Sequence, residues 1–196
     1  MNAVSKYKWE FCKNTTEELL SGLVSLDDQI LKTLDGQNGI YIVAYEGNAL
    51  GFPLSVGGGP RPVYIGVSKF NSSRHFKSGN TGTSSLRRSL GALLEADLGL
   101  VPVPRSQDPQ DKDRYNNYAF DEESEERLTK WMYDNFRVAF LRTPPDQMES
   151  IQIAMIDYNV PIFNFQNNPG NKYGAEIKVY RKKCAEMAFN NGQQNK

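Results

Sequence analysis

Residues 38–47, NGIYIVAYEG, and residues 61–68, RPVYIGVS, decide the fold. Both runs are rich in β-branched residues and are bounded by Gly, Pro or Asn, so each reads as a strand of about five to seven residues. The pleat then sorts their side chains: Ile40, Ile42 and Ala44 share one face, and Tyr41, Val43 and Tyr45 the other. In the second run Val63, Ile65 and Val67 form the apolar side, leaving Tyr64, Gly66 and Ser68 opposite. Pairing the strands with both apolar faces buried sets Tyr41 and Tyr64 on the same side, beside a hydroxyl and a bare glycine. The plain alternative is two tyrosines half-covering a sheet.

The chain has 196 residues, which suits one domain with an elaboration or two small ones. Lys plus Arg and Asp plus Glu number 23 each, so overall charge selects neither nucleic acid nor membrane as a partner. The distribution of charge says more. From Gly47 through Leu94 there is no acidic residue, yet the segment holds Arg61, Lys69, Arg74, Lys77, Arg87, Arg88 and the only histidine, His75. Acid is concentrated in DEESEE, residues 121–126, which reads as a solvated turn or the first turn of a helix. Cys12 and Cys184 lie far apart without zinc or disulfide spacing, which points to a reducing setting. No apolar run reaches the roughly 18 residues of a membrane span and no export signal opens the chain, so a cytoplasmic protein without a membrane partner is expected.

Residues 15–34 carry Leu19, Leu23, Leu26, Ile30 and Leu34 near helical spacing, predicting an N-terminal helix capped by Thr15 or Thr16 and broken near Ser25. The Gly- and Pro-rich residues 47–62 form a long hairpin connection. Its GGG could cradle a phosphate but lacks the Lys-Ser/Thr and helix of a nucleotide loop. Leu86, Leu90, Leu93, Leu94 and Leu98 make one helical stripe, with Ser84 or Ser85 as its cap. Residues 99–122 read as an irregular connection. A helix over 123–136 turns Leu128, Trp131, Met132 and Phe136 inward. A third strand follows over 137–143, then a helix capped by Thr143 that buries Met148, Ile151, Met155 and Tyr158 and ends before Pro161.

In this order the residues resemble the GIY-YIG nuclease family over most of 38–168. Gly39, Ile40 and Tyr41 match the first tripeptide, and Tyr64, Ile65 and Gly66 the second. Arg74 follows Tyr64 at the family's distance. Glu149 stands on the helix after the third strand, as the family's metal-binding Glu does, and Asn164 lies in VPIFN, like the family's Pro-x-x-Asn. SSLRRSLGALL, residues 84–94, looks like the corresponding helix of one bacterial branch. Two features depart from the pattern: the tripeptides are more widely separated than in compact members, and His75 adjoins Arg74 where a residue one turn later, here Ser78, is more usual.

The resemblance implies an α/β fold, a small, mainly antiparallel three-stranded sheet flanked by helices, with an N-terminal helical extension. It sets a nuclease domain over 37–170 between an extension, 1–36, and a C-terminal helix and tail, 171–196. It also implies a metal-dependent endonuclease that hydrolyses DNA phosphodiester bonds. Such hydrolysis needs a deprotonated water, neutralised phosphate charge and a stabilised leaving oxygen. Glu149 would ligate Mg²⁺ or Mn²⁺, Arg74 would clamp phosphate oxygens, and Tyr41 would handle the proton of the water. Tyr64 would orient water or phosphate, Asn164 would hold the site, and His75 joins the catalytic set. Arg61, Lys69, Lys77, Arg87 and Arg88 are the candidate DNA contacts. The rival readings are a nucleic-acid-binding module that does not cut and a protein-interaction domain; a homodimer is left open.

Overall fold

The computed structural model describes residues 3–45, 47, 50–51, 59–69 and 72–194, with side chains from residue 8 through 193. The helices are α1 (Ala3–Ser21), α2 (Asp28–Gly36), α3 (Ser85–Leu98), α4 (Glu122–Asn135), α5 (Met148–Asn159) and α6 (Gly174–Gln194). The strands are β1 (Val24–Ser25), β2 (Gly39–Tyr45), β3 (Arg61–Ser68), β4 (Pro102–Val103), β5 (Ala119–Phe120) and β6 (Phe136–Arg142). Most of the long hairpin connection between β2 and β3, including Gly57 and Gly58 of the GGG run, lies outside the described residues. The chain divides into two compact units, Met1–Ser73 with Asn135–Asn171 and Arg74–Asp134 with Lys172–Lys196.

The first unit is built on a four-stranded antiparallel sheet in the order β1-β6-β2-β3. The three expected strands are present, and the two-residue β1 adds a fourth by pairing Val24 and Ser25 with Val138 and Arg137. In the β2–β3 register Ile40 faces Val67 and Ile42 faces Ile65, while Tyr41 faces Gly66 and Val43 faces Tyr64. Paired residues of antiparallel strands share a face, so the two tyrosines do lie on one side. The opposite face is covered by α1 and α5: Cys12, Leu19, Met155 and Ile156 pack against Ile40, Ile42, Ile65 and Ala139. Each such aliphatic side chain stabilises the unit by about 1.5–3 kcal/mol.

Several local expectations change. The N-terminal helix begins at Ala3, and Thr15 and Thr16 lie buried inside it, where neither acts as a cap. The hydroxyl of Thr16 instead bonds Asn159 at the end of α5. The expected break is real, and Asp27 caps the second helix by accepting from the Ile30 amide at 2.9 Å. Phe136 opens β6 and does not close α4. Helix α5 starts only at Met148, with no side-chain cap, because Pro144 and Pro145 precede it in a turn; the Thr143 hydroxyl bonds back to Leu141 O.

In the second unit α3 packs on α6, and β4 pairs with β5 in a two-stranded sheet within the stretch expected to be irregular. Ser84 caps α3 as its sequence predicts, accepting from the Arg87 amide at 3.1 Å, and Gly99 ends it in a left-handed conformation. Leu86, Leu90 and Leu94 of the predicted stripe are buried.

Candidate active site

Tyr41 sits in the middle of β2 and is 1 % exposed. Its phenol lies directly over Gly66 of β3: a Cβ added there would run into the ring and its hydroxyl. The glycine of the second tripeptide is thus the floor on which the first tripeptide's tyrosine rests. Tyr64 stands beside them, half-buried, its ring centroid 6.1 Å from that of Tyr41 and tilted by 45°. Gly39 answers a similar demand, since any side chain would strike the Phe140 ring and the Leu141 carbonyl of β6.

β3 is an edge strand, and its outward backbone groups need partners. Helix α5 and the turn after it supply them. Val160, held at φ 49°, ends α5 in the left-handed region, and Pro161 follows. The turn then brings the Phe163 amide to the Val63 carbonyl at 3.0 Å. Asn164 uses its whole amide on one residue: its Oδ1 accepts from the Ile65 amide at 2.8 Å and its Nδ2 donates to the Ile65 carbonyl at 2.9 Å. Gln152 of α5 adds a second donor to that carbonyl at 3.1 Å. Ile65 lies between Tyr64 and Gly66 in the chain, so Asn164 fixes the backbone that carries the tyrosine and its glycine floor. Asn168 and Asn171 in turn brace the carbonyl of Asn164.

Glu149 is in the first turn of α5, exposed, where a carboxylate is favoured by the helix dipole. It precedes Gln152 by three residues, so it lies on the side of α5 that meets the edge of β3. Among the described residues no group of three or more His, Cys, Asp or Glu could hold a metal ion. One exposed carboxylate fits Mg²⁺ or Mn²⁺ that retains most of its waters and does not fit a site built from several protein ligands.

Arg61 and Lys69 are both exposed but flank opposite ends of β3, about 26 Å apart at the usual rise of a strand. They do not make one local patch. At the end of β3, the amide and hydroxyl of Ser73 both bond the Asp35 carboxylate of α2, and Ser72 Oγ bonds the Val67 carbonyl. The residue preceding Arg74 is therefore firmly held. Nothing in the spacing of Asp35 and Ser73 announces that contact.

Arg74 and His75 open the second unit on a 3₁₀ turn. His75 is buried, its Nδ1 2.7 Å from Ser84 Oγ, and its pKa is pushed down to about 3 by burial and by the nearby charges of Arg74 and Arg87. It is a neutral imidazole at neutral pH, tied to the cap of α3. Lys77 is exposed. Arg87, a candidate DNA contact by sequence, is fully buried, its Nη2 2.6 Å from Glu125 Oε2 and bonded also to Thr129 and the Glu125 carbonyl. Glu125, drawn from the acidic run, accepts further bonds from the amides of Gly79, Thr81 and Phe120. Arg88 is buried as well.

The antiparallel sheet seats one tyrosine on a glycine beside a second tyrosine, with an asparagine locking the edge and a carboxylate on the next helix. The chain belongs to the GIY-YIG family: the model of the GIY-YIG catalytic domain matches residues 60–183, more than half of its length. That span takes in Tyr64, Gly66, Arg74, Glu149 and Asn164 and begins after Tyr41. No curated protein and no solved structure matches the chain. Membership suggests nuclease activity.

Proposed function

We propose that the protein is a metal-dependent endonuclease that hydrolyses phosphodiester bonds of DNA. The observation that carries this reading is the seating of Tyr41 over Gly66 next to Tyr64, on an edge that Asn164 holds in place. Tyr41 would take the proton of the attacking water from a hydroxyl whose position the glycine floor fixes. Tyr64 would orient that water or the phosphate. Asn164 has both amide ends committed to Ile65, so its part is to position the strand and not to touch the substrate. Arg74 would clamp phosphate oxygens with its planar fork, as the family resemblance assigns it. A divalent ion held by Glu149 would supply charge neutralisation at the phosphate and leaving oxygen.

His75, neutral and tied to Ser84, suits a positioning role for the turn that carries Arg74. We place the protein in the cytoplasm, in keeping with Cys12 and Cys184, both free and buried; no described helix is long and apolar enough to cross a membrane.

The test is cleavage of supercoiled plasmid DNA with Mg²⁺, with Mn²⁺ and with chelator, for wild type and Glu149→Gln. Wild type should nick or linearise the plasmid only with metal. Glu149→Gln should lose cleavage while keeping its fold and DNA affinity, because the exchange removes one charge from an exposed helix position. Plasmid binding without cleavage by wild type would mark a binding module, and neither binding nor cleavage would leave a protein-interaction domain.

A further inference from the structure

Two neighbouring arginines of α3 have opposite surroundings. Arg87 is neutralised inside the second unit by Glu125. Arg88 is also buried, 8 % exposed, yet among the described residues it makes no ion pair. Its Nη1 is fully used, donating to the carbonyls of Thr81 at 3.1 Å and Gly82 at 2.8 Å. Its Nε is buried and meets no acceptor. The guanidinium is thus anchored at one corner, and among the described residues the Nε of its opposite, Nε–Nη2 edge meets no acceptor. That edge carries two parallel N–H groups, the arrangement that binds phosphate or carboxylate through two bonds at once.

The surroundings keep this edge rigid and positive. Tyr118 donates its phenol to the Arg88 carbonyl at 2.8 Å, fixing α3 at that residue. Arg105 packs so close to Gly82 that a Cβ there would lie 2.9 Å from the Arg105 Cβ. Arg105 is itself neutralised, with bonds of 2.8 and 2.7 Å to Asp111. Burial, then the charges of Arg181 from α6 and of Arg105, pull the Arg88 pKa down to about 10, with Tyr118 and Asp113 opposing. A buried Nε–H without an acceptor, on a guanidinium that forms no ion pair among the described residues, is costly, and an anion at this edge removes both deficits.

We propose that the Nε–Nη2 edge of Arg88, backed by the charge of Arg181, is a phosphate-binding site of the second unit. The chemistry is shared by a nucleic-acid backbone phosphate and a free phosphate ion; the nuclease reading favours the backbone, and only that choice of source rests on it.

The experiment uses the full chain and Arg88→Lys, which keeps a cation able to reach the Thr81 and Gly82 carbonyls but removes the fork. Melting temperature is compared in phosphate and chloride at matched ionic strength. Binding of a labelled DNA duplex is followed by anisotropy across a salt series, with Ca²⁺ in place of Mg²⁺. A backbone site predicts duplex affinity about tenfold weaker in Arg88→Lys, with a salt slope shallower by about one. A phosphate-specific rise in melting temperature that the substitution abolishes, with duplex binding unchanged, assigns the site to free phosphate. No phosphate effect on wild type, together with unchanged duplex affinity and slope in the variant, overturns the proposal. If Arg88→Lys does not fold, Arg181→Gln gives the same comparison with the Arg88 anchors intact. Failure of wild type to cut plasmid would count against the nuclease reading alone and leave these binding measurements standing.

Discussion

The two units hold their key backbone in different ways. In the first, the strand bearing Tyr64 and Gly66 is locked by neutral amides, Asn164 and Gln152 on the backbone of Ile65. In the second, α3 is locked to α4 by a buried ion pair, Arg87 with Glu125. Neutral bonds of the first kind each contribute about 0.5–1.5 kcal/mol net and change little with pH. The ion pair brings little net stability over an apolar substitute, but loss of one partner strands a charge in the interior. The first unit should therefore degrade gradually under substitution, and the second abruptly.

The largest effect should come from Glu125→Gln. It preserves the shape of the side chain but leaves the Arg87 guanidinium buried without its counter-charge, so stability should fall by about 3–5 kcal/mol. Joining it with Arg87→Met should recover much of the loss, because both charges then disappear together. Trp9 lies in the first unit and Trp131 in the second, so urea unfolding of single-tryptophan variants shows which unit responds. A Glu125→Gln protein as stable as wild type would erase the contrast between the units.

That contrast was legible in the sequence on one side only. The strands, the shared face of Tyr41 and Tyr64 and the cap at Ser84 follow from a period of two or from contacts within a few residues. The Arg87–Glu125 pair joins residues far apart in the chain, and the run DEESEE gave no sign that its fifth residue would turn inward. Thr15 and Thr16 looked like caps because the residues before them, KYKWEFCKN, lack a clean apolar stripe. They are interior helix positions because Cys12 on one side and Leu19 on the other both reach the same core. The role of Asn164 was half visible: its place after a proline marked a turn, but only the edge position of β3 explains why both ends of its amide are spent on Ile65.

A smaller effect tests the second unit through pH. His75 has a folded pKa of about 3, below the unfolded reference of about 6.5. The unfolded chain therefore takes up the proton first, and stability present above about pH 6.5 is lost as pH falls toward 3. At pH 5 the loss from this one group should be about 2 kcal/mol. His75→Gln removes the titration, so the difference between its stability and that of wild type should shrink as pH falls from 7 to 5. A constant difference, measured by urea unfolding at both values, would show that His75 becomes protonated in place.

The smallest effect on stability, and the sharpest on function, is expected from Tyr41→Phe. The ring that rests on Gly66 is kept, along with its contact to Tyr64, and only the hydroxyl is removed. Stability should stay within about 1 kcal/mol of wild type, the size of a single hydrogen bond. If the hydroxyl takes the proton of the attacking water, single-turnover cleavage of a DNA substrate should slow by roughly 10² to 10⁴, with duplex affinity preserved. A tyrosine placed there only to fill the sheet face gives the reverse: melting shifts slightly and cleavage continues at its former rate. Because the neutral lock on Ile65 is untouched, a loss of cleavage without a loss of melting temperature assigns the effect to one oxygen atom. Gly66→Ala completes the comparison, since it leaves that oxygen in the chain but displaces the ring beneath it, and it should cost both cleavage and stability.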